Sequence, residues 1–417
     1  MSKKQFMKLF ALVFAISLLS VGILSTPASA LISQNAKSWF WTDNTNVAAI
    51  ATGDVNKDGI VDIVTVGWYL DGSRYNAQLA VWNAATLALE NVVTWYWASD
   101  TQISSVAIGD VNGDNNMEIV TGGSYFDGTF YNSQLAVWNG NTLGLINVVT
   151  WRWAGDTQIS SVAVANITGS LGLSIVTGGS YFDGTRWIAQ LAVWNGATLA
   201  LQNVVTWFWT SNTYINSVAV ASITGTSSLS IVTGGSFNDG TRLNSQLVVW
   251  NAANLALNNV VTWYWVGDTE INSVAVANVT GGTALNIITG GSYFDGTRNN
   301  AQLTEWNGAT LGLQNVATWF TISDTKINSV SIGNFAGGSN LDIITGGVFS
   351  DLAKNNAQLI DWNGASFTTT STASWFQTSG TQVNSVSIAN TGSGNRVIAG
   401  GSYFDLVRDN AQLTIWG

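Results

Sequence analysis

The sequence predicts an all-β protein, a seven-bladed β-propeller with four antiparallel strands in each blade. Two observations predict this fold: a 56-residue unit recurs seven times, and the two ends of the repeated region are complementary parts of one unit. The composition agrees, because charged residues make up only 9% of the chain while Gly (43) and Trp (21) are abundant. Such a composition is typical of short strands and tight turns.

Two landmarks define the repeat. The dipeptide Thr-Trp recurs at a constant step of 56 residues, and Ser38 and Ser374, each followed by Trp, extend that series to seven members. Its Thr positions are Thr94, Thr150, Thr206, Thr262 and Thr318. The second landmark is the Trp that closes a Gln-Leu-x-x-Trp stretch, at Trp82, Trp138, Trp194, Trp250, Trp306, Trp362 and Trp416. The last step is two residues shorter because the seventh copy has a shortened loop.

Each copy contains four strand-like runs, which we label A to D. In the second copy they cover residues 103–109, 117–125, 133–138 and 143–153, and Gly, Asn and Asp separate them. Asp127-Gly128 and Asn139-Gly140 are favoured hairpin turns between B and C and between C and D. Four such strands per unit are the pattern of a propeller blade.

The two ends of the repeated region predict a closed ring. The seventh copy ends at Gly417, after strand C, whereas residues 31–41 match strand D of the other copies. Pairing residues 31–41 with residues 409–416 would complete the seventh blade and leave no open sheet edge. An open β-solenoid is the alternative, but it gives no reason for complementary ends.

Residues 1–30 have the pattern of an export signal. Three lysines in the first eight residues precede an apolar run over residues 9–24, and Ala28-Ser29-Ala30 supplies a small-residue cleavage pattern. A short membrane anchor is the alternative. We therefore expect residues 31–417 to form the exported propeller, either free outside the cell or associated with its surface.

Charge and residue usage limit the function. Residues 31–417 carry 11 basic and 24 acidic residues, a formal net charge of −13, which argues against nucleic acid as a partner. The sequence contains no Cys. It also contains no His, which is the commonest general base and the commonest transition-metal ligand. We expect a monomer without stable membrane insertion.

The A–B segments of the first two copies predict calcium loops. Oxygen-bearing side chains at positions 1, 3, 5 and 9, with a backbone carbonyl at position 7, are a calcium-binding pattern. The predicted ligands are Asp54, Asn56, Asp58, Ile60 and Asp62 in the first loop and Asp110, Asn112, Asp114, Asn116 and Glu118 in the second. Position 6 is Gly59 or Asn115, which tolerate a left-handed backbone. The alternative is an acidic turn held by its own backbone.

The B–C segments predict a second site. Each copy has an acid there, followed by a cation in six copies, with Phe130 as the exception. The acids are Asp71, Asp127, Asp183, Asp239, Asp295, Asp351 and Asp405, and the cations are Arg74, Arg186, Arg242, Arg298, Lys354 and Arg408. In a four-stranded meander these loops share a rim with the D–A loops, which contain Trp-aromatic-Trp. Acids, planar cations and aromatic faces suit glycan recognition. Turn chemistry with local ion pairs is the alternative.

The segments AIGDVNGD and EIVTGG of the second copy resemble the FG-GAP repeat of integrin α-type and VCBS-like propellers. The resemblance spans all seven copies, and its metal motif fits the first two. It implies extracellular or cell-surface recognition, with one or two Ca²⁺ ions that stiffen the ring.

We therefore expect a secreted calcium-binding propeller that acts as an adhesion or binding module for glycans or for a surface protein. A secreted lyase or hydrolase acting on polysaccharide is one alternative, but the acids of the B–C segments recur symmetrically and form no unique pair, so we expect no enzyme activity. A structural role in a surface assembly is the other alternative.

Overall fold

The computed structural model describes residues 31–169, 172–225, 228–282, 284–338 and 340–417. Within these ranges the secondary structure consists of 28 β-strands. The predicted export signal, residues 1–30, lies outside the described residues. In the described part of the chain, no helix is long and apolar enough to span a membrane.

The strands form seven separate four-stranded antiparallel sheets. Blade 1 is β2 (Thr45–Gly53), β3 (Asp62–Leu70), β4 (Tyr75–Asn83) and β5 (Leu89–Trp95), and blade 2 is β6 (Thr101–Gly109), β7 (Glu118–Phe126), β8 (Tyr131–Asn139) and β9 (Leu145–Trp151). Blade 3 is β10 (Thr157–Ala165), β11 (Ser174–Phe182), β12 (Trp187–Asn195) and β13 (Leu201–Trp207), and blade 4 is β14 (Thr213–Ala221), β15 (Ser230–Asn238), β16 (Leu243–Asn251) and β17 (Leu257–Trp263). Blade 5 is β18 (Thr269–Ala277), β19 (Asn286–Phe294), β20 (Asn299–Asn307) and β21 (Leu313–Trp319). Blade 6 is β22 (Thr325–Gly333), β23 (Asp342–Ser350), β24 (Asn355–Asn363) and β25 (Thr368–Trp375). Blade 7 is β26 (Gly380–Asn390), β27 (Asn395–Phe404), β28 (Asp409–Trp416) and β1 (Ser33–Trp39).

The predicted seven-bladed propeller is confirmed, and in the second copy the predicted strand ends differ from the observed ones by at most two residues. The prediction that residues 31–41 complete the last blade is also confirmed. Strand β1 pairs antiparallel with β28, with Ala36 opposite Thr414 and Trp39 opposite Ala411. The ring is therefore closed by strand pairing within blade 7.

Tryptophan pairs join neighbouring blades. The Trp that ends strand D of one blade packs on the Trp that ends the Gln-Leu-x-x-Trp stretch of the next, as in Trp95 and Trp138, whose ring centroids are 4.6 Å apart. The Trp95 indole also donates a hydrogen bond to the Gln134 side-chain carbonyl at 2.9 Å. The same pair of contacts occurs at all seven junctions, including Trp39 with Trp82 and Gln78 across the closure. These Trp and Gln residues therefore hold neighbouring blades together.

The paired glycines of strand B permit close packing of the blades. A Cβ atom at Gly122 would lie 2.5 Å from a Val162 methyl carbon of blade 3, and one at Gly123 would overlap the backbone carbonyl of Gln102. A side chain at either position would therefore force the blades or the strands apart.

The loops gather on two rims, as predicted. The A–B rim contains the A–B and C–D loops, which touch where the Ala84 amide donates to the Val61 carbonyl. The B–C rim contains the B–C and D–A loops, which touch where Arg74 lies over Tyr96.

Candidate metal loops and candidate binding rim

The A–B loop of blade 1 is held by its own backbone. Asp54 accepts hydrogen bonds from the amides of Asp58 (3.1 Å) and Gly59 (3.0 Å). Asn56 accepts a second bond from the Asp58 amide at 2.9 Å, and Asp58 accepts one from Ile60 at 2.8 Å. Gly59 has a φ of 85°, as expected for position 6.

Asp62, at the ninth position, is fully buried. Its Oδ2 accepts a hydrogen bond from the Val55 amide at 2.9 Å, whereas Oδ1 has no partner among the described residues. Burial raises the pKa of Asp62 to about 7, and the negative charges of Glu90 and Asp58 add to the rise. This uncompensated oxygen is the feature of the loop that fits a bound cation.

Glu90 lies beside the first loop but is not among the ligands that the calcium-binding pattern predicts. It lies on β5, and its carboxylate accepts hydrogen bonds from Asn56 (3.1 Å) and Asn83 (3.0 Å). The signal was present in the alignment of the repeats, because Glu90 is the only acid at its position. The equivalent residues are Gln34, Ile146, Gln202, Asn258, Gln314 and Thr370.

The A–B loop of blade 2 has the same turns but satisfies its buried acid. Asp110 accepts bonds from three loop amides at 2.7–3.2 Å. Asn112 accepts one from the Asp114 amide at 2.8 Å, and Asp114 accepts one from Asn116 at 2.7 Å. Asn115, at position 6, has a φ of 69°. The backbone conformation of the two loops is therefore alike.

Glu118 is fully buried, like Asp62, but both of its carboxylate oxygens have partners. Oε2 accepts from the Val111 amide at 2.9 Å and Oε1 from the Asn112 amide group at 3.0 Å, while burial raises the Glu118 pKa. Over the described ranges, no group of three or more acidic side chains lies close enough together to hold a metal ion. Of the two loops, the first is the better fit to a cation.

The acids of the B–C loops hold their own turns. Asp71 Oδ1 accepts bonds from the amides of Ser73 (2.9 Å) and Arg74 (3.0 Å), and its own amide donates to the Arg74 carbonyl. Hydrogen bonds from Asn76 and from the loop hold the pKa of Asp71 well below its usual range. The same direction of shift applies to Asp127, Asp183, Asp239, Asp295, Asp351 and Asp405. These carboxylates are therefore already engaged within their loops.

The B–C cations make a second kind of contact. In six blades the cation lies over the aromatic ring of the residue that follows the Trp at the end of strand D, 3.6–4.4 Å from its centroid. The pairs are Arg74–Tyr96, Arg186–Phe208, Arg242–Tyr264, Arg298–Phe320, Lys354–Phe376 and Arg408–Phe40. Three cations also form ion pairs with their loop acids, at 3.5–3.8 Å.

Blade 2 makes the same pair with its partners exchanged. Phe130 occupies the place of the cation in the B–C loop, and Arg152 occupies the place of the aromatic residue in the Trp-aromatic-Trp segment. The Arg152 guanidinium lies 4.3 Å from the Phe130 ring centroid. The apparent exception at Phe130 is thus a swapped pair, and all seven blades carry one cation on one aromatic ring.

The second Trp of the segment adds accessible aromatic surface to the B–C rim. Trp41, Trp97, Trp153 and Trp209 are exposed, with Trp153 at 43%, and Trp265 is half-buried. Each packs against an aromatic residue on strand B of the following blade, with centroids 5.8–6.3 Å apart. The other two junctions have Thr321 and Gln377 instead. The sequence predicts the Trp-aromatic-Trp segment but does not distinguish its half-buried first Trp, which packs between blades, from its more accessible second Trp.

Comparisons with known proteins are consistent with this geometry. Residues 54–121, which contain both candidate metal loops, match the family model of the FG-GAP-like repeat. Among curated proteins, none matches the chain.

A solved structure that resembles the chain is Raptor from Chaetomium thermophilum, with a TM-score of 0.52 and 12% sequence identity. The match covers 91% of this chain and 29% of Raptor, and at this identity it shows the fold alone. An FG-GAP propeller fold suggests a module for binding or adhesion. The chain is thus a seven-bladed β-propeller, and its residues 54–121 match the FG-GAP-like repeat.

Proposed function

We propose that the chain is an exported binding module that recognises glycans through its B–C rim. The observation that carries the proposal is a set of five inter-blade junctions at which an accessible Trp is backed by an aromatic residue of the next blade. An indole face packs well on the apolar face of a pyranose ring. The rim therefore offers one stacking platform several times over.

The residue before each of these Trp residues takes part in a cation–aromatic pair. Before Trp209, the Phe208 ring centroid lies 4.4 Å from the guanidinium of Arg186, which is also paired with Asp183 of its loop. Planar guanidinium groups donate several hydrogen bonds in a fixed geometry, which suits the hydroxyl or carboxylate groups of a sugar. Because single sites of this size bind weakly, repetition around the ring would supply avidity.

The irregular junctions make the proposal testable. We expect Trp97→Ala and Trp209→Ala each to weaken binding to a multivalent glycan on an array severalfold, because each removes one stacking face. Thr321→Ala and Gln377→Ala, at the junctions without the Trp, are matched controls and should leave binding unchanged. Loss of binding in the controls, or no glycan binding by the parent protein, would contradict the proposal, as would binding to a surface protein alone or turnover of the glycan.

We further propose that the two A–B loops bind Ca²⁺. Asp54, Asn56, Asp58, the Ile60 carbonyl and Asp62 would hold an ion in blade 1, where Glu90 and the unpartnered Asp62 oxygen add negative charge. Asp110, Asn112, Asp114, the Asn116 carbonyl or side chain and Glu118 would hold an ion in blade 2. The bound ion would neutralise these carboxylates and stiffen the A–B rim.

Calcium addition should raise the melting temperature of chelator-treated protein. Asp58→Asn should remove most of that rise and Asp114→Asn less of it, because the second loop satisfies its buried acid without an ion. Asp127→Asn, on the opposite rim, is the matched control and should respond to calcium like the parent. A melting temperature that calcium does not change would refute calcium binding without bearing on the glycan proposal.

A further inference from the structure

Asp361 is a buried acid without a partner. It lies on β24 in blade 6, it is 0% exposed, and neither of its carboxylate oxygens has a hydrogen-bond partner among the described residues. None of the ion pairs in the described part of the chain includes it. The equivalent residues in the other blades are Val81, Val137, Val193, Val249, Glu305 and Ile415. A lone buried carboxylate is costly and calls for a counter-charge.

The start of the described chain lies beside this acid. Ser371 on β25 is the cross-strand partner of Asp361, so the two side chains share one face of the sheet. The backbone N–H of Leu31 donates a hydrogen bond to the Ser371 hydroxyl oxygen at 3.4 Å. Leu31 is 8% exposed and packs in one cluster with Ile344, which is the cross-strand partner of Asp361 on β23.

The repeat supports this placement independently. In five other blades, the residue that corresponds to Leu31 packs in one cluster with the previous blade's counterpart of Asp361, as Leu143 does with Val81. The same holds for Leu199 with Val137, Leu255 with Val193, Leu311 with Val249, and Leu87 with Ile415. At the junction of blades 6 and 7, the hydrophobic partner of Leu31 is thus replaced by an acid.

The backbone of Leu31 is also unusual. In the other blades the equivalent amide closes the C–D turn, as the Leu143 amide does by donating to the Asn139 carbonyl at 2.9 Å. The Leu31 amide instead points to Ser371, on the face that carries Asp361. The Leu31 nitrogen therefore lies on the face of the sheet that carries the unpartnered Asp361 carboxylate.

We propose that hydrolysis of the Ala30–Leu31 peptide bond during export creates an α-ammonium group that forms a buried ion pair with Asp361. Water supplies the hydroxyl group to the Ala30 carbonyl carbon and a proton to the Leu31 nitrogen, in a step catalysed by an export peptidase. The new amine takes up a further proton at neutral pH. Since Leu31 is buried once β1 is paired, cleavage precedes the docking of β1.

The surroundings of Asp361 suit this role. Asp342, two residues from Ile344 on the same face of β23, is the other charged group that faces Asp361. Burial and the Asp342 charge raise the pKa of Asp361 to about 7, because both make the ionised form of an unpaired Asp361 unfavourable. The ammonium group of Leu31 would stabilise the Asp361 carboxylate, and the Ser371 hydroxyl would orient the ammonium group. The proposal rests on the predicted export signal, which N-terminal sequencing of the secreted protein tests separately from glycan binding.

A double-mutant cycle tests the ion pair. One chain starts at Leu31, and the other retains a single Ala before it, which moves the charge by one residue. We expect the equilibrium constant for unfolding at pH 7 to be about tenfold or more higher for the extended chain, and this difference to vanish in Asp361→Val. Glu305→Val, which removes the equivalent acid of blade 5, is the matched control and should preserve the difference.

A second measurement covers a failure of Asp361→Val to fold. In protein labelled with ¹⁵N at Leu31, the α-amine should titrate above its ordinary range in the parent and near that range in the isosteric Asp361→Asn. The proposal is overturned if the extra Ala has no effect, if its effect persists in Asp361→Val, if the amine pKa is the same in Asp361→Asn, or if sequencing places the mature N-terminus elsewhere.

Discussion

The pKa values of the acids on the two rims are shifted in opposite directions. On the B–C rim, Asp71 and Asp239 are partly exposed, and hydrogen bonds from their own loops lower their pKa, as they do for the equivalent acids. On the A–B side of the blades, Asp62 and Asp361 are buried, and their pKa rises to about 7. The B–C acids are satisfied locally by the turn, whereas Asp62 Oδ1 and both oxygens of Asp361 have no partner among the described residues. The two proposals on Ca²⁺ and on the Leu31 ammonium each place a positive charge beside one of these unpartnered oxygens.

The largest effect that tests this contrast is expected at Asp361. In a chain that carries a residue before Leu31, the pKa of Asp361 is raised from 3.8 to about 7 on folding. The folded state then binds more protons than the unfolded state between these values, so its stability relative to Asp361→Val should fall as the pH rises from about 4 to about 7 and stay low above that. By linkage the fall is on the order of 3–4 kcal/mol. Urea unfolding of the two proteins at pH 4.5 and pH 8 measures it, and parallel pH profiles would contradict it.

A somewhat smaller effect is expected where a buried acid already has its partners. Glu305 accepts hydrogen bonds from the side-chain amides of Asn286 (2.7 Å) and Asn315 (2.6 Å). Asn315→Leu should therefore destabilise the protein by about 2–3 kcal/mol at pH 7, because it leaves one oxygen of a buried carboxylate unpaired.

Asn147→Leu, at the equivalent position in blade 2, is the matched control. Asn147 accepts a hydrogen bond from the Val148 amide but faces no acid, because its neighbour on strand C is Val137. Denaturant midpoints should show a clearly smaller loss for Asn147→Leu. Equal losses would mean that the buried acid of blade 5 does not depend on its amides.

The smallest effect is expected on the B–C rim. Arg408 lies 4.4 Å from the Phe40 ring centroid and donates to the Thr42 carbonyl at 3.3 Å, and Arg298 makes the same contacts with Phe320 and Ile322. Arg408→Ala and Arg298→Ala should each cost about 0.5–1 kcal/mol, as expected for exposed cation–π contacts. Hydrogen exchange should separate them, because only Arg408 secures β1, and only its replacement should speed exchange there. Equal exchange in β1 would argue that the strand pairing alone holds the closure.

The sequence predicts the architecture more fully than the site. The 56-residue period and the complementary ends identify seven blades, their closure and the two rims, because those features follow from backbone hydrogen bonding and strand alternation. The partners of Asp361 and of Glu90 could not be found this way, because they depend on cross-strand register and on contacts between blades. The role of Phe130 was missed for a related reason. Its partner, Arg152, lies in another loop. Only the three-dimensional contact shows that the cation and the aromatic residue occupy each other's positions in blade 2.

That exchange in blade 2 has a practical consequence for redesign. Since a charge and a ring can change places without losing their contact, the interaction constrains the two positions jointly and neither of them alone. Installing the reversed order in another blade, by Arg186→Phe together with Phe208→Arg, should keep the loops tied while relocating a positive charge toward Trp209. The distribution of charge on the B–C rim could then be changed one blade at a time, while the sheets of the blades stay the same.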